Sequence, residues 1–188
     1  MKFKNYFLGS LLLVFTLTLA ACGNNDQDTN QNDEKMEEGK DHGNMDHSGS
    51  GEVPKGLKEA KNPKYEVGSK AIINANHMEG MKGAEATIVG AYDTYVYKVT
   101  YTPTTGGEKV TDHKWVIQEE LQDANEKPLK PGAKVVLNAD HMEGMKDAEA
   151  TIDSVVKTTI YMVDFTPTTG GDKVTNHQWL TESELSPE

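Results

Sequence analysis

The chain has no arginine, a single cysteine, two tryptophans and no apolar run long enough for a comfortable membrane span. All 19 basic residues are lysine, set against 30 acids for a net charge of −11. Without guanidinium forks there is no bidentate grip on phosphate, and the negative field repels polyanions. Nucleic acid is therefore excluded as an expected partner. One cysteine, Cys22, permits no disulfide within the chain. There is no His-Glu-x-x-His and no Gly-x-Ser-x-Gly, so the sequence points away from an enzyme. No segment carries a sustained helical period, and the apolar residues alternate instead.

Three stretches precede the patterned region. Residues 1–21 read as a signal peptide, with Lys2 and Lys4 followed by the apolar run Phe7 to Leu19. Leu19-Ala20-Ala21-Cys22 resembles a bacterial lipobox. That resemblance implies cleavage before Cys22, acylation of Cys22, and anchoring on the extracytoplasmic face of the cell membrane. Acylation also removes a lone thiol that would be a liability outside the cell. Residues 22–55 are rich in Asn, Asp, Gln, Glu, Gly and Ser, too polar to bury a core, and read as a disordered tether. Within it His42, Met45 and His47 stand out, because short His-rich tracts can hold metal.

What remains is written twice. His77-Met78-Glu79-Gly80-Met81-Lys82 returns 64 positions later as His141-Met142-Glu143-Gly144-Met145-Lys146. At the same offset Thr102-Pro103-Thr104-Thr105-Gly106-Gly107 matches 166–171, and His113 and Trp115 match His177 and Trp179. One offset for three blocks means a duplicated unit. The copies are taken as 56–122 and 123–188, with the linker at Asp123 to Pro131. Each copy shows short period-two strands: Lys70–Ala75, Ala84–Ile88, Tyr95–Tyr101 and Lys109–Ile117 in the first. The expected fold is all-β, two tandem small SH3-like antiparallel barrels. Units of about 64 residues sit near the lower limit for an independent core, so the copies should pack together or gain stability from a ligand.

The repeated blocks carry soft donors. Thioether sulfur is neutral and soft and imidazole borderline, a pairing that suits Cu(I) better than Mg²⁺ or Ca²⁺. A thiolate outside the cell would tend to oxidise, whereas a thioether persists. The candidate metal ligands are His77, Met78 and Met81 with His113, and His141, Met142 and Met145 with His177. Glu79 and Glu143 would add negative charge nearby; their participation would favour Cu(II) or Zn²⁺. The plain alternatives are that the methionines fill gaps in a core and that His113 simply packs beside Trp115. A different class of function is also open. Tyr95, Tyr97 and Tyr101 could line a groove for cell-wall glycan, peptide or a partner protein.

In combination these motifs resemble the YdhK-like family of Gram-positive lipoproteins, which includes a copper-binding lipoprotein, CopL. The likeness spans roughly 56–186. It implies a duplicated domain that binds Cu(I) at the cell surface and supports copper tolerance. Asp147 stands where the first copy has Gly83, so the resemblance leaves room for two unequal sites.

Overall fold

The computed structural model describes residues 48–188. The expected signal segment, the lipidation position Cys22 and most of the tether, with His42, Met45 and His47, lie outside the described residues. Eight strands form one antiparallel sheet. In chain order they are β1 (Lys58–Glu59), β2 (Lys70–Ile73), β3 (Glu85–Tyr101), β4 (Val110–Ile117), β5 (Lys134–Val136), β6 (Glu149–Phe165), β7 (Val174–Thr181) and β8 (Leu185–Ser186). Among the described residues the only helical pieces are two 3₁₀ turns, Gln118–Glu120 and Glu182–Glu184. The all-β antiparallel expectation therefore holds.

The copies do not each close on themselves. The segments expected as two strands, Ala84–Ile88 and Tyr95–Tyr101, are the ends of one 17-residue strand, β3. It pairs along its length with its own repeat equivalent, β6, from Ala86↔Phe165 to Tyr101↔Ala150. At the middle Thr94 faces Thr158, the same position of the repeat. An antiparallel strand paired in register with its own copy creates a local two-fold axis, here through that pair. It is the geometry of an isologous dimer written into one chain. Irregularities at Ile88/Gly90 and Lys98/Val99 shift the register and bend the ribbon, so each strand can serve two cores.

Each core is consequently mixed. One holds Tyr65, Ile73, Met81 and Ile88 of the first copy with Tyr161, Phe165 and Leu180 of the second. The other holds Tyr97, Val99 and Tyr101 of the first with Leu137, Met145 and Ile152 of the second. A third cluster, Val96, Trp115, Ile117, Ile160, Met162 and Trp179, joins them. Exchange answers the size problem, because neither copy has to bury a whole core alone. The inter-copy linker is tied down by Tyr97, whose hydroxyl accepts from Leu129 N and donates to Gln118, while Gln118 Nε2 donates to Asn125 O.

Candidate metal centre

The repeated His-Met-Glu-Gly-Met segment is a tight loop that docks on the Thr-Pro-Thr-Thr turn of the opposite copy. Thr168 N and Oγ1 donate to Gly80 O at 2.8 and 3.1 Å. Thr104 N and Oγ1 donate to Gly144 O at 2.8 and 3.3 Å. The contact requires glycine: φ is +73° at Gly80 and +72° at Gly144. A Cβ on Gly144 would stand 2.5 Å from Thr105 Oγ1 and 2.9 Å from Pro103 Cβ. The loops agree despite their difference in sequence, since Asp147 takes the same positive φ (63°) as Gly83 (83°).

This docking decides which donors meet. His113 is turned towards the loop of the other copy. Its ring lies edge-on to Tyr101 with centroids 5.8 Å apart, and 6.3 Å from the ring of His141 in the second copy. Met142 packs against the same core, and Tyr101 donates its hydroxyl to Met142 Sδ at 3.9 Å. His113, His141 and Met142 therefore surround Tyr101. In the other half His177 lies edge-on to Phe165 at 5.8 Å, and Met78 packs against the core that holds Phe165. The anticipated partnership of His113 with Met81 is thus replaced by one across copies, because β3 and β6 carry each core's aromatic face to the other copy's loop.

Two of the expected donors are core. Met81 and Met145 are 0% exposed among aliphatic and aromatic neighbours, the gap-filling role open to them from the start. Met78 and Met142 are only partly buried and are the thioethers left to a ligand. Glu79 and Glu143 are exposed. Tyr97 and Tyr101, suggested as a binding groove, are fully buried.

The carboxylates that matter were missed. Glu120 Oε1 accepts from His141 Nε2 at 2.7 Å and from Trp179 Nε1 at 3.0 Å, and its Oε2 accepts from Ile117 N at 3.0 Å. Glu184 Oε1 accepts from His77 Nε2 at 2.8 Å; its Oε2 accepts from Trp115 Nε1 at 2.7 Å and from Thr181 N at 3.0 Å. Each ties a loop histidine to a tryptophan through the start of a 3₁₀ turn. Their signal was present, since Glu120-Leu121 and Glu184-Leu185 keep the offset of 64. Burial alone would raise the Glu184 carboxyl. The hydrogen bond and charge of His77, with Thr181 N and Trp115, outweigh it and hold the group down at about 2.

These partners fix the chemistry of the rings. Trp179 Nε1–H can only donate, so Glu120 Oε1 is an acceptor and His141 Nε2 carries its proton. His113 Nε2 is buried and, among the described residues, has no hydrogen-bond partner. Burial, then the neighbouring His141 and His77, lower His113 to about 4, so its ring is neutral at physiological pH. Among the described residues no three His, Cys, Asp or Glu side chains converge to hold a metal. A centre here has to recruit thioether sulfur, and the available set is two imidazoles and one thioether per half.

A family model described as a protein of unknown function (DUF1541) matches residues 67–118 and again 131–182. YdhK of Bacillus subtilis (strain 168) is 58% identical over 186 residues, covering 99% of this chain and 91% of its own length. The crystal structure of that DUF1541 family protein matches at a TM-score of 0.74 and 65% identity, covering 76% of this chain and 97% of its own. A solution structure of the ydhK C-terminal domain matches at 0.63 and 63%, covering 65% and 93%. With both domain matches spaced as the repeat is, this chain belongs to the DUF1541 family and carries its domain twice.

Proposed function

We propose that this protein sequesters copper as Cu(I) outside the membrane, anchored by lipid on Cys22, and so supports copper tolerance without turnover. The observation that carries the reading is His113 Nε2, a buried ring nitrogen with no hydrogen-bond partner among the described residues, near a second imidazole and against the tyrosine that contacts a thioether. Burying a polar nitrogen without a partner costs roughly 1–3 kcal/mol, a cost that a bound cation would repay. In one half His113, His141 and Met142 would hold the ion; in the other, His177, His77 and Met78. Bound there, copper would be kept as a closed-shell ion away from solvent and oxidants. The chain's own part is orientation. Glu120 and Glu184 fix the loop histidines through Nε2, which turns Nδ1 away from the carboxylate, and Tyr101 and Phe165 pack against the donors.

The reading is tested by anaerobic competition against a chromogenic Cu(I) chelator. The full chain should take up two ions in the β region, and this should survive removal of 23–47 from the tether. Met78→Ile with Met142→Ile should weaken binding by 10-fold or more, as should His113→Phe with His177→Phe. Met81→Leu with Met145→Leu should leave it unchanged, because those sulfurs are core. Full affinity in the Met78/Met142 pair, or loss confined to the Met81/Met145 pair, would refute the assignment.

A further inference from the structure

The two halves are related by the local two-fold axis and can be compared position by position. The rings that face the buried histidines superpose in geometry: Tyr101 to His113 at 5.8 Å and 87°, Phe165 to His177 at 5.8 Å and 86°. One atom differs. Tyr101 has a hydroxyl, and it donates to Met142 Sδ at 3.9 Å, whereas Phe165 offers nothing to Met78. Resting on the copper reading above, we infer that the Tyr101 hydroxyl is the group that makes the two halves unequal. It holds back Met142, so Cu(I) fills the His77, Met78 and His177 half first.

The physical basis is competition for sulfur electron density. A thioether is a weak hydrogen-bond acceptor, and a donor aimed at it polarises the lone pairs it would give to a metal. Outer groups bonded to a ligand tune the metal it holds, and hydrogen bonding around sulfur is an established lever. Binding at Met142 must lengthen or break the bond from Tyr101. A buried hydroxyl that loses its partner adds to that cost; at the scale of a single modest hydrogen bond the combined effect is about 5–10-fold in affinity. One feature opposes the order. Lys114 Nζ lies 3.8 Å from Glu184 Oε1, and its equivalent beside Glu120 is the uncharged Gln178. Lys114 is 42% exposed, so its effect on a cation in that half is screened by solvent and salt. The bond to Met142, by contrast, is made on a ligand atom.

The test uses the full chain with ¹³C-methyl methionine, titrated anaerobically with acetonitrile-stabilised Cu(I) in about 0.5 M salt to screen Lys114. The Met78 methyl should finish shifting by the first equivalent and Met142 by the second. In Tyr101→Phe, which preserves the ring, the two should shift together, and Met142 affinity should rise about 5–10-fold. Without copper, Tyr101→Phe should move the Met142 methyl resonance and leave Met78 in place. Phe165→Tyr supplies the missing hydroxyl and should delay Met78. Met142 shifting first, equal filling in the native chain, or an order unchanged by Tyr101→Phe would overturn this inference and leave copper binding standing. If neither methyl responds to either equivalent, the copper reading falls and this inference with it.

Discussion

Replacing Glu120 by alanine should destabilise the whole fold by about 2–6 kcal/mol, although the residue lies on a one-turn 3₁₀ segment. The carboxylate is 4% exposed and receives three hydrogen bonds, from Trp179 Nε1, His141 Nε2 and Ile117 N. Trp179 and Ile117 are both 0% exposed, so alanine leaves two buried donors without an acceptor at roughly 1–3 kcal/mol each. His141 is partly exposed and can turn to water, so it adds less. Relief from desolvating a carboxylate offsets part of the loss. Glutamine separates the contributions. Its carbonyl can keep both bonds made to Oε1, while its amide faces Ile117 N, so it should cost about 1–2 kcal/mol. Urea unfolding followed by tryptophan fluorescence reads both variants, with Trp179 as an internal reporter. An alanine variant within about 1 kcal/mol of the native chain, or a glutamine variant as damaged as alanine, would refute the reasoning.

Three further outcomes follow from the same geometry. Gly144→Ala adds a Cβ 2.5 Å from Thr105 Oγ1 at φ +72° and should cost about 2–4 kcal/mol, lowering the melting temperature by several degrees; an unchanged melting temperature would sink the docking argument. The second copy alone, residues 123–188, should not fold as a monomer. It should form a two-fold dimer in which β6 pairs with another β6 about Thr158, and sedimentation showing a folded monomer would contradict this. Acid should weaken the fold in two windows. His113 is lowered to about 4 from 6.5, so the unfolded chain binds the extra proton: its contribution is full above pH 6.5 and lost as pH falls to 4, about 3 kcal/mol in all. Glu184, held down at about 2 from 4.5, contributes above pH 4.5 and loses its contribution as pH falls further. The urea midpoint measured from pH 7.5 to 4.5 should fall, and His113→Phe should flatten most of that fall.

Side-chain alternation was legible in the sequence because it is local: Ala86 and Ile88, or Tyr97, Val99 and Tyr101, announce a buried face two residues at a time. What local pattern cannot carry is where a strand ends when its partner is far away. Val89-Gly90-Ala91-Tyr92-Asp93-Thr94 looks like a break between strands. It stays extended because every residue from Gly90 onward finds a ladder partner on β6. Once β3 runs unbroken across the axis, its two ends must lie in different cores: its first end stays with the loop of its own copy, and its far end meets the loop of the other. The crossing of His113 towards the loop of the other copy is a consequence of that single pairing. His113 is carried by β4, which is bonded to the far end of β3, and so it faces His141 and not its own copy's Met81. The donor residues of the repeat were therefore readable, and their grouping was not. Glu120 and Glu184 were hidden for a different reason: a polar residue after the last strand of a copy reads as linker. It takes the fold to show that each is the acceptor joining one copy's loop to a tryptophan beside it.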